Sequence, residues 1–79
     1  SESKVDVVLS PNPASSFVGV LSTAYDMYDV FDMQGKVVVS GTIADGIARI
    51  DVRALTTGTY SVRVRRGTRH ESVPLIIQR

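Results

Sequence analysis

The stretch Leu55-Thr56-Thr57-Gly58-Thr59-Tyr60, running straight into Ser61-Val62-Arg63-Val64-Arg65, constrains this chain more than any other part of it. Gly58 can take a positive φ that Leu or Val would resist, so the backbone is free to turn there. Leu55 can fold inward, and Tyr60 opens a run whose apolar residues recur at every second position, the period of a half-buried strand. This spacing fits a tyrosine corner, in which the ring is buried at the start of a strand while its hydroxyl bonds backbone upstream and ties down a crossover. Such a bond is worth ~1 kcal/mol net, and burial of the ring about 2 kcal/mol more. A hairpin turn followed by an aromatic strand residue is the other reading of the same letters, and spacing alone does not separate the two.

The remaining segments read as short strands between turns, with no sustained helical period. Val5, Val7 and Leu9 alternate with Asp6 and Val8 in a first strand, which Ser10-Pro11-Asn12-Pro13 ends, because proline removes ladder donors and holds the residue before it extended. Phe17 to Leu21 is a second strand and Tyr25 to Asp32 a third, the latter with Tyr28 and Val30 on one face and Tyr25, Met27 and Phe31 on the other. Asp32-Met33-Gln34-Gly35-Lys36 has the chemistry of a hairpin turn: Gly35 supplies the positive φ and Asp32 accepts bonds from the turn's own amides. Val37 to Ser40 is a fourth strand and Gly41 to Gly46 a loop with Ile43 tucked inward. Ile47 to Val52 follows as a fifth strand, with Ala48, Ile50 and Val52 on one face. The sixth places Tyr60, Val62 and Val64 inward, and Arg66-Gly67-Thr68 turns the chain into a seventh from about His70 to Gln78. Pro74, lacking a donor, belongs on an edge. Seven short strands with opposed apolar faces and a tyrosine corner make an all-β, immunoglobulin-like Greek-key sandwich of antiparallel strands.

At 79 residues, with one histidine and no cysteine, a thin-cored single domain is expected, with function confined to its surface. Disulfide staples and thiolate metal sites are excluded. No run approaches the ~18 apolar residues of a membrane span, and no signal peptide opens the chain, so Ser1 reads as a cut inside a longer protein. Charge is lopsided. Residues 1–45 set two lysines against six acids, net −4, and residues 46–79 set seven arginines against two acids, net +5. No aromatic is interleaved with the cluster Arg63, Arg65, Arg66 and Arg69, and strands from the two halves should mix in a sandwich. The expectation is therefore paired, solvated charge rather than a nucleic-acid face.

Catalytic chemistry has no foothold. Asp26, Asp29 and Asp32 are three apart, which on a strand sends the middle carboxylate to the opposite face, and two carboxylates supply too few oxygens for a hard cation. His70, between Arg69 and Glu71, reads as a solvated strand residue. No nucleophile, base and orienting group come together, and no phosphate-binding loop is present. The chain reads as a non-enzyme without metal or cofactor.

Four segments occur in order: Pro11-Asn12-Pro13-Ala14 after a short apolar strand, Asp32-Met33-Gln34-Gly35-Lys36 after an aromatic strand, Leu55-x-x-Gly58-x-Tyr60 before Val62-Arg63-Val64, and a terminal Leu75-Ile76-Ile77-Gln78-Arg79. Together they resemble the C-terminal sorting domain (type A) of type IX secretion cargo proteins in Bacteroidetes, over about Val8 to Arg79. The resemblance implies a single sorting domain, residues 1–79, cut from a longer secreted protein. It also implies partners: an outer-membrane translocon with its shuttle proteins and, in many members, a cell-surface sortase-like cysteine peptidase that removes the domain. Localisation would be secreted or at the outer-membrane cell surface, reached through the periplasm. Leu75, Ile76, Ile77, Gln78 and Arg79 would carry translocon recognition. Pro11, Asn12, Pro13, Asp32, Gly35, Lys36, Leu55, Gly58 and Tyr60 would be mainly structural. The family often has Lys just before the terminal apolar run, where this chain has Pro74. A structural spacer, and a carbohydrate- or surface-binding module with Tyr25, Phe31 or Phe17 as its aromatic platform, are the alternatives. Two further expectations concern the last strand: an open edge that allows weak homodimerisation, and a frayed, solvated end at Gln78 and Arg79.

Overall fold

Alternation of more and less buried residues organises most strands of the computed structural model, which describes residues 6–79. The strands are β1 (Val8–Ser10), β2 (Phe17–Leu21), β3 (Met27–Phe31), β4 (Val37–Thr42), β5 (Ile47–Asp51), β6 (Gly58–Arg66) and β7 (Arg69–Ile77). They form two antiparallel sheets, one ordered β1-β2-β5 and the other β4-β3-β6-β7. The chain is all-β, and the sheets pack as an immunoglobulin-like sandwich. Leu9, Val18, Val20, Ala48 and Ile50 from the first sheet face Tyr28, Val30, Tyr60, Val62, Val64, Leu75 and Ile77 from the second, with Val7, Tyr25, Ile43 and Val52 closing the core.

Several boundaries differ from the sequence expectation. The first strand starts at Val8, with Val7 already buried ahead of it; Val5 lies outside the described residues. The third strand is buried on one side only, through Tyr28 and Val30, while Met27 is exposed and Phe31 half-buried on the outer face. Tyr25 is buried, but before the strand begins. Gly41 and Thr42 belong to β4, not to the loop. A Cβ on Gly41 would sit 2.6 Å from the Tyr28 hydroxyl, so the missing side chain marks a close approach within a strand. A register shift at Val30/Phe31 opposite Val37 adds a bulge where β4 begins.

The β6–β7 hairpin sets the direction of the molecule. Its register runs from Gly58↔Ile77 at one end to Arg66↔Arg69 at the other, and the domain measures 34 × 26 × 22 Å. Asp6 lies at the Arg69 end, their side chains 3.5 Å apart. Buried Ser22 holds the chain there: its Oγ donates to the Asp6 carbonyl at 2.6 Å and accepts from the amides of Ala24 and Tyr25. Asp6, the first described residue, therefore lies at one pole of the sandwich and Arg79 at the other.

Candidate recognition site

At the terminal pole, segments far apart in sequence meet. The corner is formed as expected. The Tyr60 hydroxyl donates to the Thr56 carbonyl at 2.8 Å and lies 3.2 Å from the Thr56 Oγ1, Gly58 has φ 149°, and Leu55 packs half-buried against the core. The hairpin turn between β3 and β4 is also formed. Asp32 Oδ1 accepts from the amides of Gln34 and Lys36, both at 2.9 Å, and Gly35 takes φ 81°. Because Phe31 is paired with Ser61, this turn stands beside the start of β6. Between turn, corner and β7 run two adjoining hollows of about 380 and 290 Å³ that share Asp32, Met33, Thr59 and Tyr60. Met33, at the tip of the turn, is 79% exposed.

The segment around Asn12 performs a task that its turn chemistry did not reveal. Asn12 Nδ2 donates to the Pro74 carbonyl at 3.0 Å, and Oδ1 accepts from the Ile76 amide at 3.1 Å. Two residues on, the Ala14 amide donates to the Ile76 carbonyl and the Gln78 amide to the Ala14 carbonyl, each at 2.8 Å. Asn12–Ala14 thus acts as a short extra strand along the outer edge of β7, and Pro11 and Pro13, both after cis peptide bonds, bracket its first residue. The expected open edge is absent from residues 74–78, because these four bonds occupy it. Pro74 does sit on the sheet's edge strand, and its own carbonyl is one of the groups Asn12 satisfies.

The terminus is not frayed either. The Arg79 guanidinium donates to the carbonyls of Leu55 and Val52, both at 2.6 Å, joining the last residue to the corner. Of the five terminal residues, Leu75 and Ile77 are buried at 0% and 2% exposure, while Ile76 is 43% exposed and Gln78 lies on the surface beside it. Sequence reasoning identified these segments singly and missed their convergence. It also missed Ser22, Met33 and the threonines lining the hollows. A lone Asn between two prolines was the available signal for the edge cover.

The other candidate chemistry disperses. Asp29 pairs with Arg65 at 3.1 Å and Asp26 with Arg66 at 3.6 Å, while Asp32 is consumed by its turn. Among the described residues, no three His, Asp or Glu side chains gather as a metal site. The Asp29, Asp26 and Asp6 pairs each join an arginine of the second half to an aspartate of the first, so mixing of strands offsets part of the lopsided charge. Asp51 is held down to about 2, chiefly by the side chain of Arg53 and also by its amide. The aromatic platform has no open ring. Tyr25 is buried, with its hydroxyl donating to Glu71 at 2.9 Å, a bond that together with burial raises its pKa. Phe17 lies under Arg49 and Arg53, 4.0 and 5.0 Å from its centroid, and Phe31 is half-buried.

Comparison with curated proteins gives no match. Comparison with protein families matches residues 9–78, from the first strand through the converging segments as far as Gln78, to the secretion system C-terminal sorting domain. The chain belongs to that family, whose domains are sorting signals for secretion.

Proposed function

We propose that residues 1–79 are a single sorting domain cut from a longer secreted protein, and that its terminal pole is the surface gripped by the type IX outer-membrane translocon and its shuttle proteins. Its work is recognition rather than catalysis. Cargo joined ahead of Ser1 would travel through the periplasm to the cell surface, where a sortase-like cysteine peptidase would remove the label in cleaved members. One observation carries this reading: four segments scattered over the sequence meet at the pole opposite Asp6. A partner can hold that pole without touching cargo, which is what a label shared by different cargoes requires.

Within the pole, Ile76, Gln78 and Met33 present side chains to a partner. Leu75 and Ile77 act through the core, and Arg79 acts through the corner carbonyls. A periplasmic reporter fused ahead of Ser1, in a host with type IX machinery, tests the division. Met33→Ser and Ile76→Ser alter exposed side chains, for which stability changes are usually within ~0.5 kcal/mol, and are expected to lower export with the melting temperature nearly unchanged. Leu21→Ser and Ile47→Thr, exposed at the other pole, are expected to leave export intact. Full export with both pole residues altered would remove the assigned surface. Failure of the intact domain to export the reporter would overturn the address label and leave a structural spacer.

A further inference from the structure

Three of the four sheet edges are blunted in ways proteins use to prevent stray strand pairing. β1 has only three residues and runs into Pro11; β5 carries Arg49 and Asp51. β7 carries Arg69, His70, Glu71 and Pro74, and Asn12–Ala14 covers its far half. β4 is different: Val37–Thr42 contains neither charge nor proline, and among the described residues no strand pairs with its outer side. Its backbone is oriented for pairing. The Ile43 amide donates to the Asp26 carbonyl at 2.8 Å, so the alternation of an antiparallel ladder turns the amides and carbonyls of Ser40 and Thr42 outward.

We propose that β4 is the edge through which two copies of this chain pair, antiparallel, fusing two four-stranded sheets into one. Charge favours a second copy over an arbitrary strand. Lys36 precedes β4 and Asp45 sits in the turn that follows it, so antiparallel pairing centred on Ser40 brings the Lys36 end of each copy to the Asp45 end of the other. Size agrees as well. Centring on Ser40 places half-buried Val39 opposite Gly41 of the other copy, where the close approach of Tyr28 leaves no room for a side chain.

Sedimentation velocity on the 79-residue chain over a rising concentration series tests this. A monomer–dimer equilibrium is expected, weakened by salt because Lys36 and Asp45, the charges at the two ends of the strand, are exposed. Ser40→Lys places two lysines face to face at the two-fold and is expected to raise the dimer Kd at least about tenfold, since like charges directly opposite destabilise a strand pair. Ser40 is exposed, so the melting temperature should hold. Thr42→Lys, also exposed on this edge, puts a lysine on the pairing edge opposite Val38 of the other copy, a charge of the kind that blocks edge pairing, and serves should the first variant fold poorly; Ser72→Lys on β7 should leave the dimer unchanged. A strict monomer at the highest concentration overturns the proposal. So does a dimer that survives both β4 variants or is lost with Ser72→Lys.

Discussion

Tyr60 shows how one hydroxyl decides between two structures that sequence spacing leaves open. A hairpin turn would leave the oxygen in water, whereas here it donates to the Thr56 carbonyl at 2.8 Å beneath a ring that is 8% exposed. Tyr60→Phe keeps the ring and removes the bond, so unfolding should become easier by ~1 kcal/mol. Gly58 contributes through backbone alone. A Cβ there would meet nothing within 4 Å, but φ is 149°, so Gly58→Val should cost strain of about 1–3 kcal/mol without any clash. Denaturant melts distinguish these effects. An unchanged midpoint for Tyr60→Phe would mean that the hydroxyl bond contributes nothing to the corner.

At the scale of elements, the Asn12 segment and β7 behave as one unit although 64 residues separate Asn12 from Ile76. Asn12 supplies a donor and an acceptor at the spacing a neighbouring strand would offer, the Nδ2 and Oδ1 of one amide group. Asn12→Asp should therefore lose the bond to the Pro74 carbonyl while keeping the one from the Ile76 amide, and Asn12→Ala should lose both. Amide hydrogen exchange is the direct measurement: Ile76 should lose protection in the Ala variant and retain it in the Asp variant. Equal protection in all three would show that Ala14 alone holds the edge. The same contact explains what was legible beforehand. Period-two alternation is a local signal, so β2, β5, β6 and β7 were readable to within a residue or two, and the Asp32 turn and the corner were readable from their own residues. A side chain bonding backbone 64 residues away leaves no periodic trace, so neither the edge cover nor the Arg79 contacts could be seen. Gly41 misled for a related reason: glycine is depleted in strands, and only the position of Tyr28 explains its presence in β4.

For the whole molecule, size decides how any test of the terminal residues must be interpreted. Domains are stable by roughly 0.05–0.15 kcal/mol per residue, which for this chain amounts to about 4–12 kcal/mol. Leu75 is fully buried in the middle of that thin core, and Leu→Ala changes at such positions cost about 2–5 kcal/mol. Leu75→Ala should therefore remove a large share of the total, with a denaturant midpoint far below that of Ile76→Ser, the neighbouring change on the exposed face. Deleting residues 75–79 should unfold the domain outright, because it also removes Ile77, the Gln78 amide bonded to Ala14 and the Arg79 contacts to the corner. Loss of export on such a deletion would then report unfolding, not recognition. Melts of Leu75→Ala and Ile76→Ser separate the two causes: similar midpoints would mean that the terminal strand is not built into the core, and the division between core-facing and partner-facing residues would fall with it.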